Sequence, residues 1–423
     1  MLIMKYLCWF SFLSLIAFSS CTTDRGTVEV DYVEARAIYG DIDEIRATPI
    51  NESARAIENP GKIYIGERFI LIGEEGEGIH VIDNSNRSNP ESLAFINIPG
   101  NREYYVSDNM LYAESYYDLV KIDISNPLET KLVGRAENAV QEASKNADGE
   151  YLVGFTYENK SVVLNEDEDF YKEIIGDQLV YLDFAENVIP QSAVPSSFAG
   201  NSSSQSGTVN RVTKSGDFIY TISNNNLIIV SDGFNFGDEV RHYQDFKPDM
   251  ETIFPYEGKL FMGSRTAMNI FDLSDPLQPS EIYEFDHVTS CDPVLPFEEM
   301  AYVTLRTADF SDCPGNINAL VVLDLQDISN PKQLDEIQMS SPYGMSVIDD
   351  KLYVGEGENG LSIFNVKDER NPELLTLNKE IEAYDIISDP VDKNIIFIAG
   401  PKGLQQFTMG SNQSFDLNST ILF

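Results

Sequence analysis

Short runs of apolar residues recur along the chain, and each stops at a polar turn. Five-residue runs end in Asp or a relative at Asp83, Asp123, Ser231, Asp272, Asp324, Asn365 and Thr408. The steps between these ends are 40, 108, 41, 52, 41 and 43 residues, so the period is near 41. After most of them comes Ser-Asn-Pro or a variant, as in Ile124-Ser125-Asn126-Pro127 and Leu273-Ser274-Asp275-Pro276. An upstream apolar run precedes each one: Phe69 to Ile72, Leu111 to Ala113, Phe218 to Thr221, Leu260 to Met262, Ala301 to Leu305, Leu352 to Gly355 and Ile395 to Ala399. Richness in Val, Ile, Tyr and Phe favours strands over helices. The Asn, Gly and Pro punctuation supplies tight turns.

A 41-residue unit has room for four short strands and their turns, which is the size of a propeller blade. Sheets packed radially are covered on both faces, which explains runs with little polar alternation. The expected fold is therefore all-β, a single propeller of seven blades, with eight as the alternative. The eighth would lie in the 108-residue step, where Tyr151 to Thr156 and Ser161 to Asn165 imitate Leu352 to Gly355 and Ser362 to Asn365. The same segment, read differently, decorates a neighbouring blade. A pair of β-sandwiches would not give so regular a period. The expected organisation is residues 1–20 as a signal peptide, 21–58 as a tether and N-terminal segment, and 59–423 as the propeller. A long insertion is expected at about 136–209. Glu29 to Tyr39 is expected as a strand that joins a blade and helps close the ring. Asp41 to Ala47, or Ile50 to Ile57, is expected as a short helix.

The N-terminus changes the picture from fold to location. Lys5 is followed by an apolar run from Tyr6 to Phe18, too short for a comfortable membrane span. A charged start, apolar centre and small residues read as an export signal. Phe18-Ser19-Ser20-Cys21 resembles a bacterial lipobox, with Phe18 where Leu is usual, and Cys21 would be the acylated residue. Two or more acyl chains anchor stably, at about 0.8 kcal/mol per buried CH₂. The expectation is an exported lipoprotein of a Gram-negative envelope, held at the outer membrane, facing either the periplasm or the exterior.

Charge narrows the partners. The chain has 29 Lys and Arg against 69 Asp and Glu, a net charge of −40. Such a field repels phosphate backbones and anionic headgroups, so no nucleic acid is expected as a partner. The expected partners are the membrane, through the lipid, and a protein or glycan. No cofactor is expected.

Candidate chemistry is sparse. His80, His242 and His287 fall in three different units with no ligand spacing, so no zinc site is expected. The aspartates closing the strands are repeated, and a repeated residue is architecture unless one copy differs. Their expected job is to hold the backbone N–H groups of the turn. Asn165-Glu166-Asp167-Glu168-Asp169 is expected to be a solvated loop. It lacks a calcium-loop pattern, and calcium binding there is left open. Residues 190–207 read as a flexible surface loop. Nucleotide-binding and serine-hydrolase motifs are missing. Trp9, inside the signal, is the only tryptophan, which weakens a sugar-platform reading. Cys291 and Cys313 are expected to form a disulfide in an oxidising compartment, worth roughly 3 kcal/mol for a loop of this size. A metal or catalytic thiol pair is the alternative.

The segments Gly78 to Asn86, Phe95 to Gly100, Leu111 to Ser115 and Asp118 to Pro127 resemble the LVIVD-repeat family. So do Cys291-Asp292-Pro293, Ala301 to Arg306 and Cys313, over a total span of about 59–407. The resemblance implies a secreted or lipid-anchored propeller and carries no activity to transfer. The expected function is a binding or scaffold module with unknown ligand and no catalytic residues. The alternative is an enzyme acting on polysaccharide with carboxylates near the channel.

Overall fold

The computed structural model describes residues 27–47, 49–140, 144–165, 179–181, 211–223, 226–238, 240–243, 250–264, 267–286, 293–307, 317–410 and 413–423. The chain divides into two units. The smaller one takes in the described residues 27–37, 155–165 and 179–181, and Thr27–Gly40 and Tyr151–Asn165 supply most of its three-stranded sheet, completed by Leu179–Tyr181. The central strand of that sheet is Thr27–Gly40.

Residues 38–154 and 187–423 form the larger unit, a propeller of seven antiparallel sheets. Blade 1 covers residues 60–97, blade 2 104–136, blade 3 212–243, blade 4 250–286, blade 5 294–338, blade 6 345–378 and blade 7 385–421. In every blade the four strands follow chain order across the sheet. From blade 2 to blade 7, consecutive first strands pack on one another, so the first strands are innermost and line the channel.

The apolar runs settle into seven core clusters, and each is shared by two consecutive blades. The seventh joins Ile387, Ile395, Phe397 and Ala399 of blade 7 to Ile63, Ile65, Ile70 and Ile72 of blade 1. Side-chain contacts close the ring, this packing together with the Arg87–Asp389 ion pair, because blade 7 is built wholly from consecutive C-terminal strands. A fully buried aliphatic or aromatic side chain contributes about 1.5–3 kcal/mol, so such a seam suffices without an exchanged strand.

The sequence reading needs three corrections here. Tyr151–Asn165 is one continuous strand of the small sheet, not an eighth blade. Its apolar residues imitate a blade hairpin, but it pairs with Thr27–Gly40. The strand expected over Glu29 to Tyr39 exists but joins no blade and closes no ring. The short helix is Ile42–Ile45, capped by the Asp41 carboxylate, which accepts from Asp43 N at 2.8 Å. Ile50–Ser53 is not helical. It is a fifth strand on the outer edge of blade 1.

The repeated residues have repeated jobs. The second-strand tyrosines tie blades together: Tyr112 donates to Asp232 O, Tyr220 to Pro276 O and Tyr302 to Glu369 O, at 3.3, 2.9 and 2.8 Å. In each case the acceptor belongs to a turn of the next blade. The strand-closing carboxylates do what their repetition implies. Asp83 Oδ1 accepts from Ser85 N, Asp123 Oδ1 from Ser125 N and Asp324 Oδ1 from Gln326 N. A second such turn follows at Asn126, Asp275, Asp327 and Asp368. Six blades also share a register shift between their third and fourth strands, as at Val81/Ile82 and Val322/Leu323.

Candidate functional site

Antiparallel strands put the repeated aspartate turns at one end of each blade. The other end holds the start of the first strand and the end of the second. Register aligns these residues between blades. Opposite Ile79, Leu119, Leu227, Met268, Leu320, Leu361 and Leu404 of the third strands, the second strands hold Gly73, Glu114, Ile222, Gly263, Thr304, Gly355 and Ala399 in blades 1 to 7. Six of the seven are small or uncharged, and Glu114 alone is ionisable.

The facing position on the innermost strand holds Lys62, Glu103, Arg211, Thr252, Pro293, Gly344 and Asp385. The backbone confirms the equivalence. Glu114 N donates to Glu103 O, Ile222 N to Arg211 O, Thr304 N to Pro293 O and Gly355 N to Gly344 O. Charged side chains therefore occupy this position in blades 7, 1, 2 and 3, in the order Asp385, Lys62, Glu103, Arg211. Blades 4, 5 and 6 are uncharged there. Charges alternate around half of the channel mouth.

Burial makes this arc chemically unusual. Lys62 Nζ lies 3.7 Å from Glu103 Oε2, with the lysine side chain fully buried. Burial pushes the Lys62 ammonium down to about 8, against the pull of Glu103 and Glu114. Glu103 is raised by burial, offset in part by Lys62 and Arg211. Burial, then the Glu103 charge, pushes Glu114 up to about 7, while Arg211, Arg102 and Lys62 oppose the rise. Asn101 braces the pair, its Nδ2 donating to Glu103 O and Glu114 O at 3.1 Å each. An amine and a carboxyl that both titrate near neutrality can hold or pass a proton, or meet a ligand of either sign.

Other buried charges are fully committed to structure. Asp118 Oδ2 accepts from Arg46 Nε at 2.9 Å and Arg135 Nη1 at 3.0 Å, and its Oδ1 from Asn138 N at 2.8 Å. Glu74 accepts from Asn59 N at 2.6 Å, Glu58 N at 3.1 Å and His80 Nε2 at 2.8 Å. His80 is thus a hydrogen-bonded strand residue, its pKa lowered chiefly by burial. Among the described residues, no group of three His, Cys, Asp or Glu side chains could hold a metal ion.

The residues singled out from the sequence lie elsewhere. Cys21, Cys291 and Cys313 fall outside the described residues, as do His287, residues 166–169 of the acidic run and the loop at 190–207. Sequence reasoning named none of Lys62, Glu103, Glu114, Arg211 and Asp385 as site residues. The signal for Glu114 was present: Leu111-Tyr112-Ala113-Glu114 places a charge where Leu352-Tyr353-Val354-Gly355 has glycine, and its other difference, Ala113 for Val354, is apolar for apolar. The innermost strands carried no such signal, because their short runs align only through pairing.

Comparison with known proteins fits this architecture. The LVIVD repeat model matches residues 105–137, the span of blade 2 that carries Glu114. No curated protein matches the sequence significantly. A protein of unknown function from Desulfotomaculum acetoxidans is similar in structure, with a TM-score of 0.51 and 12% identity over 84% of this chain and 96% of that one. The periplasmic gluconolactonase PpgL of Pseudomonas aeruginosa has a TM-score of 0.50 and 9% identity, over 88% and 94%. At such identities the likeness concerns the fold alone. The chain is thus a seven-bladed β-propeller that carries an LVIVD repeat on blade 2.

Proposed function

We propose that this chain is a binding module of the cell envelope that takes a protein or glycan at the channel mouth. The observation that carries the reading is the charged arc of Asp385, Lys62, Glu103 and Arg211, with Glu114 beside it. Blades built to one plan have no structural need for ionisable groups at positions that are Gly, Ala, Thr, Ile or Pro elsewhere in the ring. Buried charge is expensive and is kept where it meets something.

The anchor belongs to the same reading. Cys21 carries the acyl chains and residues 22 onward hold the propeller away from an outer membrane. Fatty-acid labelling that persists in the Cys21→Ala variant would remove that part. Cys291 and Cys313 form the disulfide, which thiol alkylation before and after reduction checks directly.

The test uses a soluble form with Cys21 replaced by an affinity tag, exposed to envelope extract. Glu114→Gln and Arg211→Ala are expected to lose a partner or glycan that the parent retains. Equal capture by parent and variants would move the site away from the mouth.

The second reading is an enzyme acting on polysaccharide. Its support is that Glu114 at about 7 and Lys62 at about 8 are poised near neutrality, as acid–base groups are. Release of reducing sugar by the parent and not by Glu114→Gln would favour it.

A further inference from the structure

The seam that closes the ring, between blades 7 and 1, holds polar side chains where other seams are apolar. Residues two apart in a strand share a face. Gln406 therefore lies on the face of Leu404, and His80 on that of Ile82, and both of these belong to the cluster joining blades 7 and 1. Register sets Gln406 level with Val81, Lys121, Ile229, Ile270, Val322 and Ile363 of blades 1 to 6. Five of those are aliphatic, and Lys121 is satisfied by Asp232 O at 2.6 Å. Asn84 stands where Ile124, Leu273 and Leu325 pack on the preceding blade, its N–H bonded to Arg68 O as theirs are to Asn109, Gly258 and Glu299 O. His80, Gln406 and Asn84 are 0, 2 and 5% exposed. His80 Nδ1, Asn84 Oδ1 and both polar atoms of the Gln406 amide have no hydrogen-bond partner. Elsewhere on the described second and third strands, Thr221 and Asn269 leave one such atom each.

One of these residues can change its charge. Glu74 accepts from His80 Nε2 and from the N–H groups of Glu58 and Asn59, which lead into blade 1. Blade 6 builds the same clasp with a hydroxyl. Glu356 follows Gly355 as Glu74 follows Gly73, and it accepts from Ser362 Oγ and, at 2.7 Å, from Ser340 N. Ser362 pairs with Val354 as His80 pairs with Ile72, so the two are equivalent. The clasp therefore needs no imidazole. An imidazole adds a second nitrogen, and a proton arriving on Nδ1 would find no acceptor in the seam. Burying such a charge is costly. Glu74 and Glu77 favour the proton and Arg55 opposes it, but burial outweighs them all. Across the seam the buried titratable groups of blade 7 are Asp385 at the mouth and Asp389, which pairs with Arg87 at the turn end.

We propose that the seam between blades 7 and 1 is an acid-sensitive clasp, in which protonation of His80 loosens the ring between those two blades and no others. Histidine is the side chain suited to such a switch near neutral pH. His80 is held below the ordinary imidazole value of 6.5, so the folded chain binds this proton less tightly than the unfolded one. Its contribution to stability is whole above 6.5 and is lost progressively as pH falls from there through the folded value. The unsatisfied amides of Gln406 and Asn84 make this the seam that water enters most readily once the clasp gives. The clasp does not depend on what the mouth binds.

Hydrogen exchange of the full chain, read by mass spectrometry at pH 7.5 and 5.5, tests it, with rates normalised to the unstructured chain at each pH. In the parent, acid is expected to speed exchange at least tenfold in the second and third strands of blades 1 and 7. The same strands of blades 4 and 6 should change less than twofold. His80→Ser, which copies the blade 6 clasp, and His80→Gln, which keeps a neutral donor for Glu74, should each abolish the acid response. Gln406→Ile, the residue type of blades 3, 4 and 6 at that place, should slow exchange in the seam at both pH values. The proposal is overturned by a parent whose blades respond to acid alike, by a folded His80 variant that keeps the response, or by faster exchange in Gln406→Ile. If neither His80 variant folds at pH 7.5, the imidazole is an architectural need and the proposal falls with that result.

Discussion

The two ends of each blade teach different things. At the turn end, one blade predicts the next: an aspartate accepts from the N–H two residues on, in blade after blade. At the mouth end the blades disagree, and two aligned positions hold ionisable residues in some blades and uncharged ones in the rest. Repetition marks what every sheet needs in order to pack. Departure from repetition marks what the ring as a whole does once. Asp118 warns against reading every buried charge as function, because all its bonding capacity is spent on Arg46, Arg135 and Asn138.

That contrast can be broken by substitution. The largest effect is expected from Asp118→Ala, which strands the buried Arg135 without its partner. Removing one member of such a pair costs about 3–5 kcal/mol. A denaturant titration that shows less than 1 kcal/mol would move Asp118 from the structural class to the functional one.

Glu114→Gln is expected to go the other way. The folded state holds the Glu114 proton at about 7, against an ordinary value of 4.5. The folded chain therefore binds this proton more tightly than the unfolded chain. The acid costs stability progressively as pH rises from 4.5 to about 7, and the cost is constant above. The variant should be more stable than the parent by about 3 kcal/mol at pH 8, converging with it below pH 4.5. Gain in stability together with loss of ligand is the mark of a functional residue. A variant that is destabilised at pH 8 would make Glu114 architecture.

Smaller effects belong to the repeated residues. Tyr302→Phe leaves the Glu369 carbonyl without its donor and should cost about 1 kcal/mol in thermal unfolding, with ligand capture unchanged. Asp83→Ala should cost about 0.5–1 kcal/mol near neutral pH. Bonds from Arg68 and Ser85 hold the Asp83 carboxyl well below the usual carboxylate range. Its contribution is present above the unfolded value near 3.8 and is lost as pH falls toward the folded one. Parent and variant should therefore approach each other in an acid titration below pH 4. An Asp83→Ala variant that folds normally but no longer captures the ligand would collapse the division between the two ends.

Much of the scaffold was legible in the sequence. A period of 41 residues, turn chemistry at each strand end and dense apolar runs specify a blade locally, because each sheet has to be covered on both faces. Tyr151–Asn165 misled because its residues satisfy the same local rule, while the pairing that places it lies more than a hundred residues away. The ring seam between blades 7 and 1, the register shift repeated in six blades and the place of Thr27–Gly40 are likewise long-range matters.

The sequence by itself determined the fold class, the period and the local duties of the repeated aspartates. Those follow from interactions spanning only a few residues. Only the tertiary structure decided that Lys62, Glu103, Arg211 and Asp385 occupy one repeat position, since they are scattered over more than three hundred residues. Their pKa shifts arise from burial and from charges on neighbouring blades, which no single segment contains. A seven-fold ring brings distant segments to one mouth, and the chemistry of that mouth exists only when the ring is closed.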